Sequence, residues 1–273
     1  MPASNQIAPD KLARLIGLPG SPTIIDVRAH PEQAVPGSIL RDVASPLTWA
    51  REINGGVVIV DSDGSAGASI ATVLRSDGLA VEALEGGFSA SRAGSHLTAS
   101  LGALPPRHDD GRTWWVTRAR PKVDRIACPW LIRRFVDPAA RFLFVAPVEV
   151  LTVATQQHAE PFDIPDDRVR WSHRGELCTF DVMLEAFGLS DHASPAHLAT
   201  IVRGADTDRL EVAPEAAGLL AISLGLSRTY SDDYAQLEAG MLVYDALYRW
   251  CRDARDEKHD WTSHTPTRAK TAA

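Results

Sequence analysis

Cysteine is scarce in this chain: 273 residues hold three, Cys128, Cys178 and Cys251, and the first 127 residues hold none. An odd, sparse set cannot build a disulfide framework, which points to a reducing cytoplasm. No apolar run approaches the ~20 residues that span a bilayer, so no membrane partner is expected. Residues 1–20 lack the apolar core of a signal peptide, which again points to the cytoplasm. A basic excess is missing too. Lys and Arg number 28 against 35 Asp and Glu, for a net charge of −7, which argues against DNA as a partner. There is no G-x-S-x-G elbow, phosphate loop, dinucleotide fingerprint, H-E-x-x-H or C-x-x-C. Those absences remove hydrolase, nucleotide-binding and standard zinc-site readings.

What remains is ordinary globular material, 45% hydrophobic and 23% charged. The length suits one large domain or two small ones. Residues 1–104 read as alternating strands and helices: strands at 23–27, 57–60 and 79–84, with a helix over 66–77. This order implies a parallel sheet with flanking helices. Residues 105–112 (Pro-Pro-Arg-His-Asp-Asp-Gly-Arg) read as a linker. The second half, 113–256, opens with strands at 114–116 and 141–145 and then turns helical. Helices are expected over 179–187, 194–204 with Ser194 as its cap, 214–226 and 232–255. The fold class is therefore α/β followed by a mostly α-helical α+β domain. On the last helix Leu237, Met241, Tyr244, Tyr248 and Cys251 form one apolar face. Such a face serves as core or as a helix–helix interface, and a homodimer through these helices is one use for it. The tail, 257–273, has little to pack and is expected to be flexible.

Several N-terminal segments together resemble the rhodanese (sulfurtransferase) family: Ile24-Ile25-Asp26-Val27-Arg28, Val35-Pro36-Gly37-Ser38-Ile39, Val57 to Val60 with the loop beyond it, and Leu84-Glu85-Gly86-Gly87-Phe88. The resemblance implies a rhodanese-like fold over about 100 residues. Its chemistry does not carry over, because sulfur transfer needs a thiolate at the head of the active loop. Asp61 stands there, in a loop that continues through Asp63 and Gly64 without Lys or Arg. The expected domain is a degenerate rhodanese serving as scaffold, docking surface or dimerisation module. A repurposed ion site at Asp61 and Asp63 is the rival reading.

The densest local charge lies between Trp114 and Arg141, with seven basic residues against two acids. This segment (Trp115 to Phe135), with Ser172 to Asp181 and Ile201 to Asp206, resembles the C-terminal domain of ChrB-like chromate-resistance proteins. The resemblance runs from about 114 to 252. It implies a bacterial cytoplasmic protein of the chromate stress response. Some relatives are regulators, but they carry a different N-terminal domain.

Three residue sets carry candidate chemistry. Pro129 suits the first turn of a helix, which would put Cys128 at the N-cap, facing the dipole's positive end among arginines. That setting favours a reactive thiolate, and Cys128 is the catalytic candidate. Its alternative is a buried apolar role, the role expected for Cys178 and Cys251. Arg118, Arg120, Lys122 and Arg125 could gather around an oxyanion such as chromate or sulfate. His173 and Glu176, with Asp181 close behind and Asp124 and Asp206 from the other family-like segments, form a His-plus-carboxylate set. Such donors suit iron, manganese or zinc better than calcium. Three functions stay open: a metal- or oxyanion-binding protein with redox activity within its range, a chromate- or metal-responsive sensor without catalysis, and a sulfurtransferase using Cys128.

Overall fold

The computed structural model describes residues 5–51 and 53–258. The N-terminal half builds β1 (Gln6–Ile7), α1 (Pro9–Ala13), β2 (Thr23–Asp26), β3 (Gln33–Ala34), β4 (Ser38–Leu40) and α2 (Pro46–Ala50). It continues with β5 (Val57–Val60), α3 (Ser65–Ser76), β6 (Val81–Leu84), α4 (Gly87–Ala93) and β7 (Ala99–Ser100). Five of these strands form one sheet in the order β1-β6-β5-β2-β4, and every pairing in it is parallel. This is the parallel sheet with flanking helices that the strand–helix alternation predicts. β3 and β7 pair separately as a short antiparallel ladder.

Alternation along the strands shows how the halves are joined. Ile25, Val57, Ile59 and Ala83 pack with Trp49, Ile70 and Leu74 from α2 and α3. Their neighbours Ile24, Val58, Val60 and Leu84 point the other way, into the cluster that contains Trp115, Trp130 and Tyr248. A parallel sheet must be covered on both faces, and here the second cover is the C-terminal half. The 105–112 segment is packed as well. Arg107 ion-pairs with Asp137 at 3.1 Å, and His108 stacks on Trp114 with ring centroids 4.6 Å apart. Gly37 N–H donates to Phe135 O at 2.8 Å, and Ser100 N–H to Phe187 O at 2.8 Å. Gly17 lies so close to Phe135 and Tyr248 that a Cβ there would be 2.6 Å from Phe135 Cζ.

The C-terminal half comprises β8 (Trp114–Arg118), α5 (Asp124–Leu131), β9 (Arg141–Val145), α6 (Val150–Gln157) and β10 (Glu160–Pro161). The helices α7 (Thr179–Ala186), α8 (Ala193–Asp206), α9 (Ala216–Thr229) and α10 (Asp233–Asp253) follow. β10-β8-β9 form a parallel three-stranded sheet. The predicted α10 face is the buried one: Leu237, Met241, Tyr244, Tyr248 and Cys251 are all at most 5% exposed. That face is spent inside the chain and offers nothing to a second copy. The N-cap position of α8 is His192 rather than Ser194, without a side-chain cap, and Pro195 is still in the first turn. Of the tail, residues 259–273 lie outside the described residues.

α5 corrects a sequence expectation. It begins at Asp124, and Pro129 stands inside it, not at its start. A proline there removes one backbone bond. The chain then widens into a π-helical turn, Ile132–Val136, closed by Asp137 N–H to Ile132 O at 2.7 Å.

Candidate metal centre

Asp124 is the first residue of α5, His173 lies on the loop before α7, and Asp206 ends α8. Each offers one ligand atom, and the three atoms lie within 4.8 Å of one another. His173 Nε2 is 3.1 Å from Asp206 Oδ2 and 3.8 Å from Asp124 Oδ2. A fourth acid, Asp163, stands 3.6 Å from the same nitrogen. The Asp163 loop is tied back by Asp163 N–H to Trp171 O at 2.8 Å, which brings Asp163 and His173 to the same place.

One of these positions and a neighbour of another have unusual backbones. Val123, just before Asp124, has φ +34°, and Asp163 has φ +51°. A β-branched residue there is a steric outlier, and such strain persists only where surrounding bonds enforce it. At Val123 they do: its N–H donates to Ser223 Oγ at 3.0 Å, and its carbonyl accepts from Tyr244 Oη at 2.9 Å.

Asp124 is fully buried. Its Oδ2 accepts from Phe180 N–H at 3.2 Å in the first turn of α7, while Oδ1 has no hydrogen-bond partner among the described residues. Burial first, and the charges of Asp206 and Asp163 second, push the Asp124 carboxyl well above the usual carboxylate range. Asp163 goes the other way. Burial alone would raise it, but the contact with His173 and the charges of Arg125 and Arg118 outweigh that and hold it low. His173 is raised from 6.5 to about 10, by its approach to Asp163 and then its hydrogen bond with Asp206. The site therefore holds excess negative character around one half-exposed imidazole.

The basic cluster divides. Arg118 Nη2 and Arg125 Nε reach the same oxygen, Asp163 Oδ2, at 3.1 and 3.2 Å. Arg120 turns away and binds the C-terminal end of α9, through the carbonyls of Ser227, Tyr230 and Ser231. Lys122 is exposed. The four do not converge on one anion. Glu176 also leaves the set: its side chain is 84% exposed and pairs with Arg209 at 3.2 Å. Asp181 instead binds Arg203 at 3.0 Å and caps α7 through Cys178 N–H.

Cys128 is not at a helix N-cap. It is the fifth residue of α5 and completely buried. Burial, and then the negative charge of Asp124, push its thiol well above the ordinary range, the reverse of what a thiolate nucleophile needs. Cys178 and Cys251 are buried, as expected of core residues. Cys178 Sγ lies 3.3 Å from Asp181.

In the N-terminal half, Asp61 sits where the loop's amides converge. Its Oδ1 accepts from Gly64 N–H at 2.7 Å and its Oδ2 from Ala66 N–H at 2.9 Å. The chain's own carboxylate fills that cradle. Gly64 holds the turn at φ +92°, and Asp63 is exposed and bonds locally to Ser65.

Asp163 is the residue sequence reasoning missed. It lies in none of the family-like segments, and Asp163-Ile164-Pro165 reads as an ordinary turn. Beside it opens a cavity of about 730 Å³, whose lining includes Arg118, Asp163, Arg170, Ser172 and His173. The metal set thus has an outlet on one side.

A statistical model of the family described as "ChrB, C-terminal domain" matches residues 115–251. Protein ChrB of Cupriavidus metallidurans is 37% identical over 147 residues, covering 52% of this chain and 43% of that relative. The chain therefore spans less than half of that relative's length. A rhodanese-related protein from Thermoplasma volcanium overlies 34% of this chain and 96% of its own, at 18% identity and a TM-score of 0.32. Reduced CoADR-RHD of Bacillus anthracis covers 32% of this chain and 16% of its own, at 22% identity and a TM-score of 0.30.

Proposed function

The chain belongs to the family of the ChrB C-terminal domain, and from that premise we propose that it serves chromate resistance by binding a transition metal at Asp124, His173 and Asp206. The observation that carries the reading is their convergence. Three residues spread over more than 80 positions bring donor atoms within 4.8 Å, and the buried Asp124 keeps one oxygen without a hydrogen-bond partner among the described residues. Donors on a four-coordinate ion with bonds near 2.1 Å stand roughly 3.4 Å apart. The contacts of 3.1 and 3.8 Å from His173 bracket that spacing. One imidazole with carboxylates suits zinc, iron or manganese. The metal would supply Lewis acidity or redox capacity. The protein's part is to hold the donors: strained Val123 fixes Asp124, and the Asp163 loop presents His173 beside the cavity.

Equilibrium dialysis of chelator-stripped protein tests this. One zinc, manganese or ferrous ion per chain is expected. His173→Ala and Asp206→Asn should abolish it, and Glu176→Ala should not. Absence of stoichiometric binding by all three ions sinks the proposal.

A sensor role without catalysis draws support from one contact, Tyr244 Oη to Val123 O, which links α10 directly to the residue before Asp124. The N-terminal half acts in this reading as a scaffold rather than a sulfurtransferase. It has no cysteine, and Asp61 fills its anion cradle. A sulfurtransferase built on Cys128 is disfavoured by that thiol's burial. A cytoplasmic setting fits three free, buried thiols.

A further inference from the structure

We infer that the α9–α10 pair sets the affinity of the metal centre, with Ser223 and Tyr244 as positioning residues that hold Asp124 among the donors. This rests on the metal reading above and adds what controls it.

The four residues before Asp124 form a strained strap. Arg120 has φ +59°, and Val123 has φ +34° with ψ −99°. The first is uncommon for a residue with a long side chain, and the second lies in a region that only glycine occupies freely. Yet the turn into α5 is made at Val123. Arg125 N–H donates to Lys122 O at 2.9 Å, and the N–H groups of Ile126 and Ala127 converge on Val123 O at 3.0 and 2.8 Å. Rotating Val123 back to an ordinary negative φ would swing Asp124, the first residue of the helix, out of its present direction.

Among the described residues, every side chain that bonds the strap's backbone comes from α9 or α10. Ser223 Oγ accepts from Val123 N–H at 3.0 Å, and Tyr244 Oη donates to Val123 O at 2.9 Å. Asp233 Oδ1 accepts from Arg120 N–H at 3.1 Å, and Gln236 Nε2 donates to Pro121 O. The Arg120 guanidinium returns the contact, donating to Tyr230 O at 2.8 Å and Ser231 O at 3.3 Å. Ser223, Gln236 and Tyr244 are at most 4% exposed, so bulk water does not replace a lost hydroxyl. Such strain persists only where its surroundings enforce it. Loss of one anchor lets Val123 relax, and a site competent in a tenth of the molecules binds ten-fold more weakly. The coupling is reciprocal: an ion held by Asp124 also holds the strap against the two helices.

The test measures zinc affinity of the full chain by competition with a chromophoric chelator, with manganese or ferrous ion used where wild type takes up only that ion. Ser223→Ala and Tyr244→Phe should each weaken the ion at least ten-fold at an unchanged one-to-one ratio. Tyr248→Phe, one turn further along α10, should stay within two-fold. In the Val123→Gly background, where the strained backbone carries no side-chain penalty, Ser223→Ala should cost less than three-fold. A merely structural loss would be the same in both backgrounds. Amide exchange reads the strap without that background. In metal-free Ser223→Ala protein the amides of Ile126 and Ala127 should exchange at least ten-fold faster than in wild type, and the bound ion should restore their protection. Wild-type affinity in both Ser223→Ala and Tyr244→Phe, an equal loss in the two backgrounds, or unchanged exchange overturns the inference and leaves the metal reading standing. Failure of wild type to take up any of the three ions overturns both.

Discussion

His173 Nε2 lies 3.1 Å from Asp206 Oδ2, joining a loop residue to the last residue of a helix 33 positions later. Asp206 is therefore the most informative position to change. Asp206→Asn keeps size and a hydrogen-bond acceptor but removes the ligating charge. Its zinc affinity should fall by more than about 100-fold, beyond the range seen when only an outer partner of a ligand is lost. A competition titration against a chromophoric chelator measures this, and wild-type affinity in the variant would refute a ligand role.

The same imidazole gives metal-free protein a pH signature. His173 is raised in the folded state from 6.5 to about 10. A raised basic group stabilises the fold fully below its unfolded pKa and loses that contribution as pH climbs through the folded one. The stability advantage of wild type over His173→Gln should be complete below about pH 6.5 and vanish near pH 10. Its size should be modest, since the side chain is half exposed and screened by salt. Urea midpoints of both chelated proteins across that range measure it, and a constant difference would contradict it.

Cys128 should be chemically silent in the native state. It is buried and its thiol is pushed upward, so the thiolate fraction at pH 8 is negligible. Iodoacetamide followed by peptide mass analysis should label Cys128 only after unfolding. Labelling of folded protein within minutes would restore it as a nucleophile candidate.

Asp245 on α10 binds Trp130 Nε1 at 2.8 Å and takes Arg134 in a two-pronged pair at 2.8 Å on each oxygen. Asp245→Ala would leave a buried indole N–H and a guanidinium without their acceptor. The cost should be about 2–4 kcal/mol, read from denaturant unfolding. A loss within about 0.5 kcal/mol, the usual size of a surface substitution, would show that the network contributes little.

Asp61→Ala should release the amides of Gly64 and Ala66 from their carboxylate. A cost of about 1–2 kcal/mol is expected, as for loss of a helix cap. Unchanged stability would mean that water replaces the carboxylate without loss.

Sequence alone determined the three central strands of the N-terminal sheet, its parallel class and the buried face of α10, because hydrophobic periodicity is local and is set by the helix and strand repeats. It also carried Asp124, His173 and Asp206, through the family-like segments in which they stand. It misplaced the start of α5, since Pro129 gives the same local signal at a helix start as inside a helix that widens after it. Only the tertiary structure brought in Asp163, moved Glu176 outward to Arg209, and divided the basic cluster between an acid and a helix terminus. Those outcomes depend on which distant side chain reaches a charge first, and burial sets the strength of that contact. Cysteine, the rarest feature of the chain, follows the same division. Its placement after residue 127 was legible, but its burial, and with it the thiol's loss of reactivity, came from packing.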